Sequence, residues 1–169
     1  MPILKDHKLA FIHIPKTGGV SIINTFGFEV DYHYPASYYH ADYMKLTIIR
    51  HPVERFESAV AYIKNIESCY HKHIPKEHHD FKNKTIDQIA DDIQTLTHLV
   101  FKPQFYFINE PGVAIFKTIN ECYYWLCERL KKNPALLYEN KTPCKEKLVN
   151  LTPVLYFYKQ DIELWQQPV

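Results

Sequence analysis

The chain has 169 residues, 46% of them hydrophobic and 23% charged, with a formal net charge of +1. That length fits one domain spanning 1–169 with a single sizeable core, and that composition excludes a disordered chain. A near-neutral balance supplies no global field to recruit nucleic acid or an anionic membrane, so any anion site must be local.

The 13 Tyr and 10 Phe read first as the filling of a core. The longest apolar runs are too short to cross a bilayer. The N-terminus lacks a basic segment followed by an apolar stretch and a small-residue cleavage site. The expected setting is therefore soluble and cytoplasmic. Cys69, Cys122, Cys127 and Cys144 make no CxxC pair, which predicts reduced thiols.

Residues 9–14 form a short apolar run with β-branched and aromatic members, which predicts a buried strand. The run stops at Pro15-Lys16-Thr17-Gly18-Gly19, and residues 20–26 predict a short helix. Residues 46–49 predict a second buried strand, ending at Arg50-His51-Pro52. Pro52 suits the first turn of a helix, where its missing N–H costs nothing. Val53, Phe56, Val60 and Ile63 then keep one apolar helical face. Residues 69–84 are polar and His-rich, so they read as a loop. Thr85 with Gln88 has the spacing of a capping box, predicting a helix to about Leu99. Residues 113–116 predict a third strand. Thr118 with Glu121 opens another capped helix through Tyr124, Leu126 and Leu130. Residues 133–150 look irregular, and Thr152 as cap with Pro153 at the first helical position starts a last helix toward Trp165. Repeated strand–loop–helix units predict an α/β fold with a parallel sheet covered by helices. Ligands in such folds bind beyond the carboxyl ends of the strands.

Two segments at those ends carry chemistry. In His13-Ile-Pro-Lys-Thr-Gly-Gly-Val-Ser21, the glycines let backbone N–H groups approach a ligand, and the helix start adds donors and a positive dipole end. Together they suit a phosphate. Thr17 and Ser21 add hydroxyls, and Lys16 adds a mobile charge. The lysine precedes the glycines, so this is not a Walker A loop. In Arg50-His-Pro-Val-Glu-Arg-Phe-Glu-Ser58, Arg50 presents a forked guanidinium suited to phosphate, and Ser58 lies about two helical turns on. Arg55 has three readings: a partner for Glu54 or Glu57, a brace for the site, or a solvated helix residue. Two separated anion devices on one sheet edge fit a ligand with two separated charged groups.

At these residues the chain resembles the PAPS-dependent sulfotransferases (PAPS is 3'-phosphoadenosine 5'-phosphosulfate), in particular their carbohydrate branch. Residues 11–21 resemble that family's 5'-phosphosulfate loop and residues 47–58 its 3'-phosphate motif. The commoner family pattern has Thr at Val20 and Asp at His51. Lys102-Pro-Gln104 and Tyr156-Phe-Tyr-Lys-Gln-Asp161 resemble weaker landmarks. Ala114-Ile-Phe-Lys-Thr departs from the usual pattern, which carries a glutamate at or beside Lys117. The resemblance implies a P-loop-like three-layer sandwich, a central parallel sheet flanked by helices. It implies that Lys16, Thr17, Gly18, Gly19, Val20 and Ser21 hold the 5'-phosphosulfate, and that Arg50 and Ser58 hold the 3'-phosphate. PAPS would be the donor, PAP the product, and a small molecule or glycan hydroxyl the acceptor, with no nucleic acid or membrane partner.

Sulfuryl transfer shares the in-line geometry of phosphoryl transfer. A cation at the departing oxygen favours the transition state, and Lys16 fits that role. With the loop amides, Lys16 supplies the positive field, so the scheme calls for no metal. Histidine suits the general base. His40 in Tyr38-Tyr39-His40-Ala41-Asp42 is the first candidate, with Asp42 to orient it; His33 is second and His51 third.

Cys69, His71, His73, His78 and His79 match no trusted zinc spacing and read as an exposed loop, alternatively as the acceptor rim. Lys141, Lys145 and Lys147 form a basic patch, either solvated, or lying over the nucleotide or gripping an acidic acceptor. Two other function classes compete. A kinase-type phosphotransferase should need Mg²⁺ and a lysine after the glycines. The other is a non-catalytic nucleotide- or metal-binding module.

Overall fold

A computed structural model describes residues 2–29, 33–65, 76–138 and 146–168, with side chains from residue 80 onward in the third segment. Strands β1 (Ile3–Leu4), β2 (Leu9–Phe11), β3 (Met44–Ile48) and β4 (Ala114–Phe116) form one sheet in the order β1-β2-β3-β4. β2, β3 and β4 are parallel, with Leu9 opposite Met44 and Leu46 opposite Ala114. β1 is antiparallel to β2, with Ile3 opposite Ala10. The sheet is thus α/β but mixed, where the sequence pattern predicts only parallel strands. The turn Lys5–His7 and the left-handed Lys8 (φ 48°) reverse the chain at once. A parallel partner would need a crossover of about a dozen residues.

Seven helices are described: α1 (Gly19–Phe26), α2 (Pro52–Asn65), α3 (Ile86–Asp91), α4 (Gln104–Phe107), α5 (Ile119–Leu130), α6 (Thr152–Phe157) and α7 (Lys159–Gln166). Both expected capping boxes form, Thr85 with Gln88 and Thr118 with Glu121. The helix expected to reach Leu99 instead stops at Asp91. The Thr95 hydroxyl donates to the Asp92 carbonyl (2.8 Å), a local bond that competes with helix continuation. The last helix starts one residue early, with Leu151 as cap, and breaks at Tyr158. There the Tyr158 hydroxyl donates to the buried Phe101 carbonyl (2.7 Å).

Strand alternation sends side chains to both faces of the sheet. Leu9, Phe11, Leu46 and Ile48 pack with Ile22 of α1 and Leu126 of α5. Ala10, Ile12 and Ile49 pack with Ala36, Tyr39, Phe107 and, from α7, Leu164 and Trp165. The apolar stripe of α2 (Val53, Phe56, Val60, Ile63) meets Phe81, Ile86, Ile89, Phe101, Val154 and Tyr158. Each such side chain fully withdrawn from water stabilises the fold by about 1.5–3 kcal/mol. No helix among the described residues is long and apolar enough to cross a membrane.

Candidate anion-binding site

The loop after β2 turns in two steps. Lys16 (φ 68°) and Gly18 (φ 92°) are both left-handed, and α1 begins at Gly19 with Gly18 as its cap. A lysine held there carries a backbone cost of about 1–3 kcal/mol, a feature that clusters at functional sites. Both glycines are also sterically required. A Cβ on Gly18 would stand 2.7 Å from Ile119 Cδ1, and one on Gly19 would stand 2.6 Å from His13 Cδ2. Gly18, the N-cap of α1, has no side chain with which to cap it. The first N–H groups of α1 and its dipole therefore point toward the carboxyl edge of the sheet. The Thr17 hydroxyl donates inward to the Ile14 carbonyl (3.0 Å), so it closes the turn. Ser21 is buried in α1 and Val20 is half-buried beside it.

The loop after β3 lies next to this one, because β2 and β3 are parallel neighbours. Glu54, Ser58 and Tyr62 follow one another at four-residue spacing in one row along α2, and Arg50 lies two residues before its start. The Arg50 guanidinium donates to Glu54 Oε2 through Nε and Nη2 (3.2 Å each). Ser58 is 3% exposed. The Lys16 ammonium lies 4.5 Å from the centroid of the Tyr62 ring. The two cations named from the sequence thus contact different turns of α2, Arg50 at Glu54 and Lys16 at Tyr62. Tyr62 was missed in the sequence, although its spacing from Ser58 was readable.

Arg55 is a brace. Its side chain is 1% exposed and pairs with neither neighbouring glutamate. Nε donates to the Pro15 carbonyl (3.0 Å), and Nη2 donates to the Val100 (3.1 Å) and Lys102 (2.8 Å) carbonyls. Burial lowers its pKa, opposed by Tyr158 and Asp161. Gln104, fully buried, bonds the Arg50 backbone twice: Arg50 N–H donates to Oε1 and Nε2 donates to the Arg50 carbonyl, both at 2.9 Å. Asp161 caps α4, accepting from the N–H groups of Gln104 (2.7 Å) and Phe105 (2.8 Å). Burial raises the Asp161 pKa, while those bonds and Arg55 pull it down. Gln104 and Asp161 stood in the two weaker landmark segments, without an assigned role.

Glu57 was missed. It is 4% exposed, and it accepts from Lys147 Nζ (2.8 Å) and from the Leu148 N–H (3.3 Å). That hydrogen bond raises the Lys147 pKa. Lys147 thus docks on α2. Lys141 and Lys145 lie outside the described residues, as do the side chains of the Cys/His run at 69–79.

The structure sets the candidate histidines apart. His40 lies in the turn before β3, where the Tyr43 N–H donates to its carbonyl (3.1 Å). Its neighbour Asp42 pairs with Lys8, which precedes β2 (3.8 Å). His40 therefore marks the amino end of the parallel strands, whereas Lys16 and Arg50 mark the carboxyl end. At about 3.3 Å per residue the separation along β3 is on the order of 20 Å, which places His40 well away from those loops. Asp42 does lie against His40: its N–H donates to His40 Nδ1 (3.3 Å) and its Oδ2 stands 3.7 Å from the same nitrogen. His33 lies instead against His13, which precedes the first loop. Its Nδ1 lies 2.7 Å from the His13 carbonyl, and its ring centroid is 4.3 Å from that of the buried His13. A carbonyl only accepts, so Nδ1 carries the hydrogen and Nε2 is the basic nitrogen of the neutral ring. His51 packs edge-on against Trp165 (5.9 Å) beside Arg50. Lys117, at the departure from the family pattern, donates to the Gln167 carbonyl (2.7 Å).

No protein-family model, no curated protein and no solved structure matches this chain.

Proposed function

We propose that the protein is a PAPS-dependent sulfotransferase, moving a sulfuryl group onto an acceptor hydroxyl, in the first instance that of a carbohydrate. On this reading the architecture is a reduced P-loop-like three-layer sandwich. One observation carries it. Two loops suited to anions stand side by side at the carboxyl ends of β2 and β3, with a lysine in one and an arginine in the other. A nucleotide with a charged group at each end spans them. The first loop with Lys16, Thr17, Gly18, Gly19, Val20 and Ser21 takes the 5'-phosphosulfate, its amides and helix dipole doing most of the work. Arg50 and Ser58 take the 3'-phosphate, and Arg50 exchanges Glu54 for it.

The acceptor oxygen attacks sulfur in line. An O–S bond forms and the S–O bond to the phosphate breaks, its electron pair leaving on the phosphate oxygen of PAP. Lys16 meets that growing charge, so its interaction strengthens toward the transition state. The acceptor proton passes to His33 Nε2. The His13 carbonyl holds the opposite ring edge and so fixes the tautomer with Nε2 as the acceptor nitrogen. Every group in the scheme belongs to the chain or to its two substrates.

Calorimetric titration with PAP tests the reading. Binding at micromolar Kd or tighter, about −8 kcal/mol, is expected. Arg50→Ala should weaken it at least tenfold. A wild-type protein that ignores PAP but binds ATP with Mg²⁺ would move the assignment to the kinase-type phosphotransferase. Silence toward both nucleotides would leave a non-catalytic module.

A further inference from the structure

Between the two anion loops runs a strap, residues 99–105, held by three buried polar side chains, Arg55, Gln104 and Asp161. It touches the first loop through Arg55. That guanidinium holds the Pro15 carbonyl with one nitrogen and the Val100 and Lys102 carbonyls with another. It touches the second loop through Gln104, whose carboxamide grips Arg50 at both N–H and C=O. A two-point bond of this kind fixes rotation as well as position. The strap is fixed in turn from α7, where Asp161 accepts two successive strap N–H groups. Arg55 is 1% exposed, and Gln104 and Asp161 are fully buried, so packed neighbours hold all three.

We propose that this strap is a ruler: Arg55, Gln104 and Asp161 set the distance between the two anion loops and thereby make the site select nucleotides phosphorylated at both ends. The inference rests on the donor site proposed above and adds its specificity determinant. A ligand with one phosphate engages one loop and is indifferent to the spacing. A ligand with two phosphates gains the second contact only when the loops stand at its own phosphate separation. Gln104 and Asp161 are positioning residues, acting through the Arg50 backbone. Loosening either should cost a bisphosphate much and a monophosphate little. A purely structural role would weaken both ligands in proportion.

The test is titration of wild type, Gln104→Glu and Asp161→Asn with PAP and with adenosine 5'-monophosphate, with melting curves alongside. Gln104→Glu keeps the acceptor for the Arg50 N–H and removes the donor to its carbonyl. Wild type should bind PAP at least tenfold more tightly than the monophosphate. Each variant should lose at least fivefold of that ratio while monophosphate affinity stays within twofold. An unchanged ratio in cooperatively melting variants overturns the ruler and leaves the donor site standing. Wild type that binds neither nucleotide overturns the donor site, and the ruler with it. Should the variants fail to fold, amide exchange on the wild type decides. PAP must slow exchange at Arg50 and Phe105 more than the monophosphate does, and equal protection overturns the proposal.

Discussion

Arg55→Met should be among the most destabilising single changes in the described part of the chain. The side chain is 1% exposed and makes three hydrogen bonds to the carbonyls of Pro15, Val100 and Lys102. Methionine restores most of the volume but no donor. It also removes the desolvation cost of a buried cation, which offsets part of the loss. The remainder is the cost of three buried carbonyls left without a donor, about 1 kcal/mol or more each, together with an Asp161 carboxylate that loses its nearby cation. We expect a net loss of about 3–5 kcal/mol. For a chain of this size about 2–4 °C accompanies each kcal/mol, so Tm should fall by about 6–20 °C. Arg55→Lys keeps the charge and should fall in between, because an ammonium cannot span three carbonyls in the guanidinium plane. Scanning calorimetry reads the result directly. A Tm shift below about 2 °C for Arg55→Met would show that the three carbonyls find other partners, and the brace would lose its physical basis.

Gly19→Ala places a Cβ 2.6 Å from His13 Cδ2 and 2.7 Å from Phe11 Cε1. Both rings belong to packed core positions, so urea denaturation should show a loss of about 1–3 kcal/mol; an unchanged midpoint would mean the rings move freely. Glu146 accepts from Lys64 Nζ (2.6 Å) and from the Ile86 N–H (3.0 Å), and its pKa is lowered chiefly by the Lys64 bond. A depressed folded pKa gives stability that is present above the unfolded value, about 4.3, and lost as pH falls through the folded one. The Tm deficit of Glu146→Gln should therefore be full at neutral pH and shrink below about pH 4.3; an equal deficit at pH 7 and pH 3 would contradict the assigned ion pair. Glu54 occupies the Arg50 guanidinium. Such exposed pairs are worth about 0.3–0.5 kcal/mol, so Glu54→Gln should tighten PAP binding about twofold, more at low salt. Weaker binding in a calorimetric titration would mean that Glu54 positions Arg50 instead of competing for it.

Local chemistry made the two anion loops legible from residue types and spacing alone. A strand that ends on Pro-Lys-Thr-Gly-Gly, or on Arg-His-Pro, announces its turn and its helix within ten residues, because turn geometry, capping and amphipathic period are short-range properties. The two capping boxes formed for the same reason. What the sequence did not settle is which distant residues meet. On paper His40 ranks ahead of His33 as the base. Strand direction sets the two apart, since the chain enters β3 at one edge of the sheet and leaves it at the other. Arg55 reads as an ordinary helix charge until the fold buries it against carbonyls 40 and more residues away. Gln104 and Asp161 acquire roles only where α7 closes on α4. A buried polar group needs partners, and tertiary packing alone decides which ones are within reach.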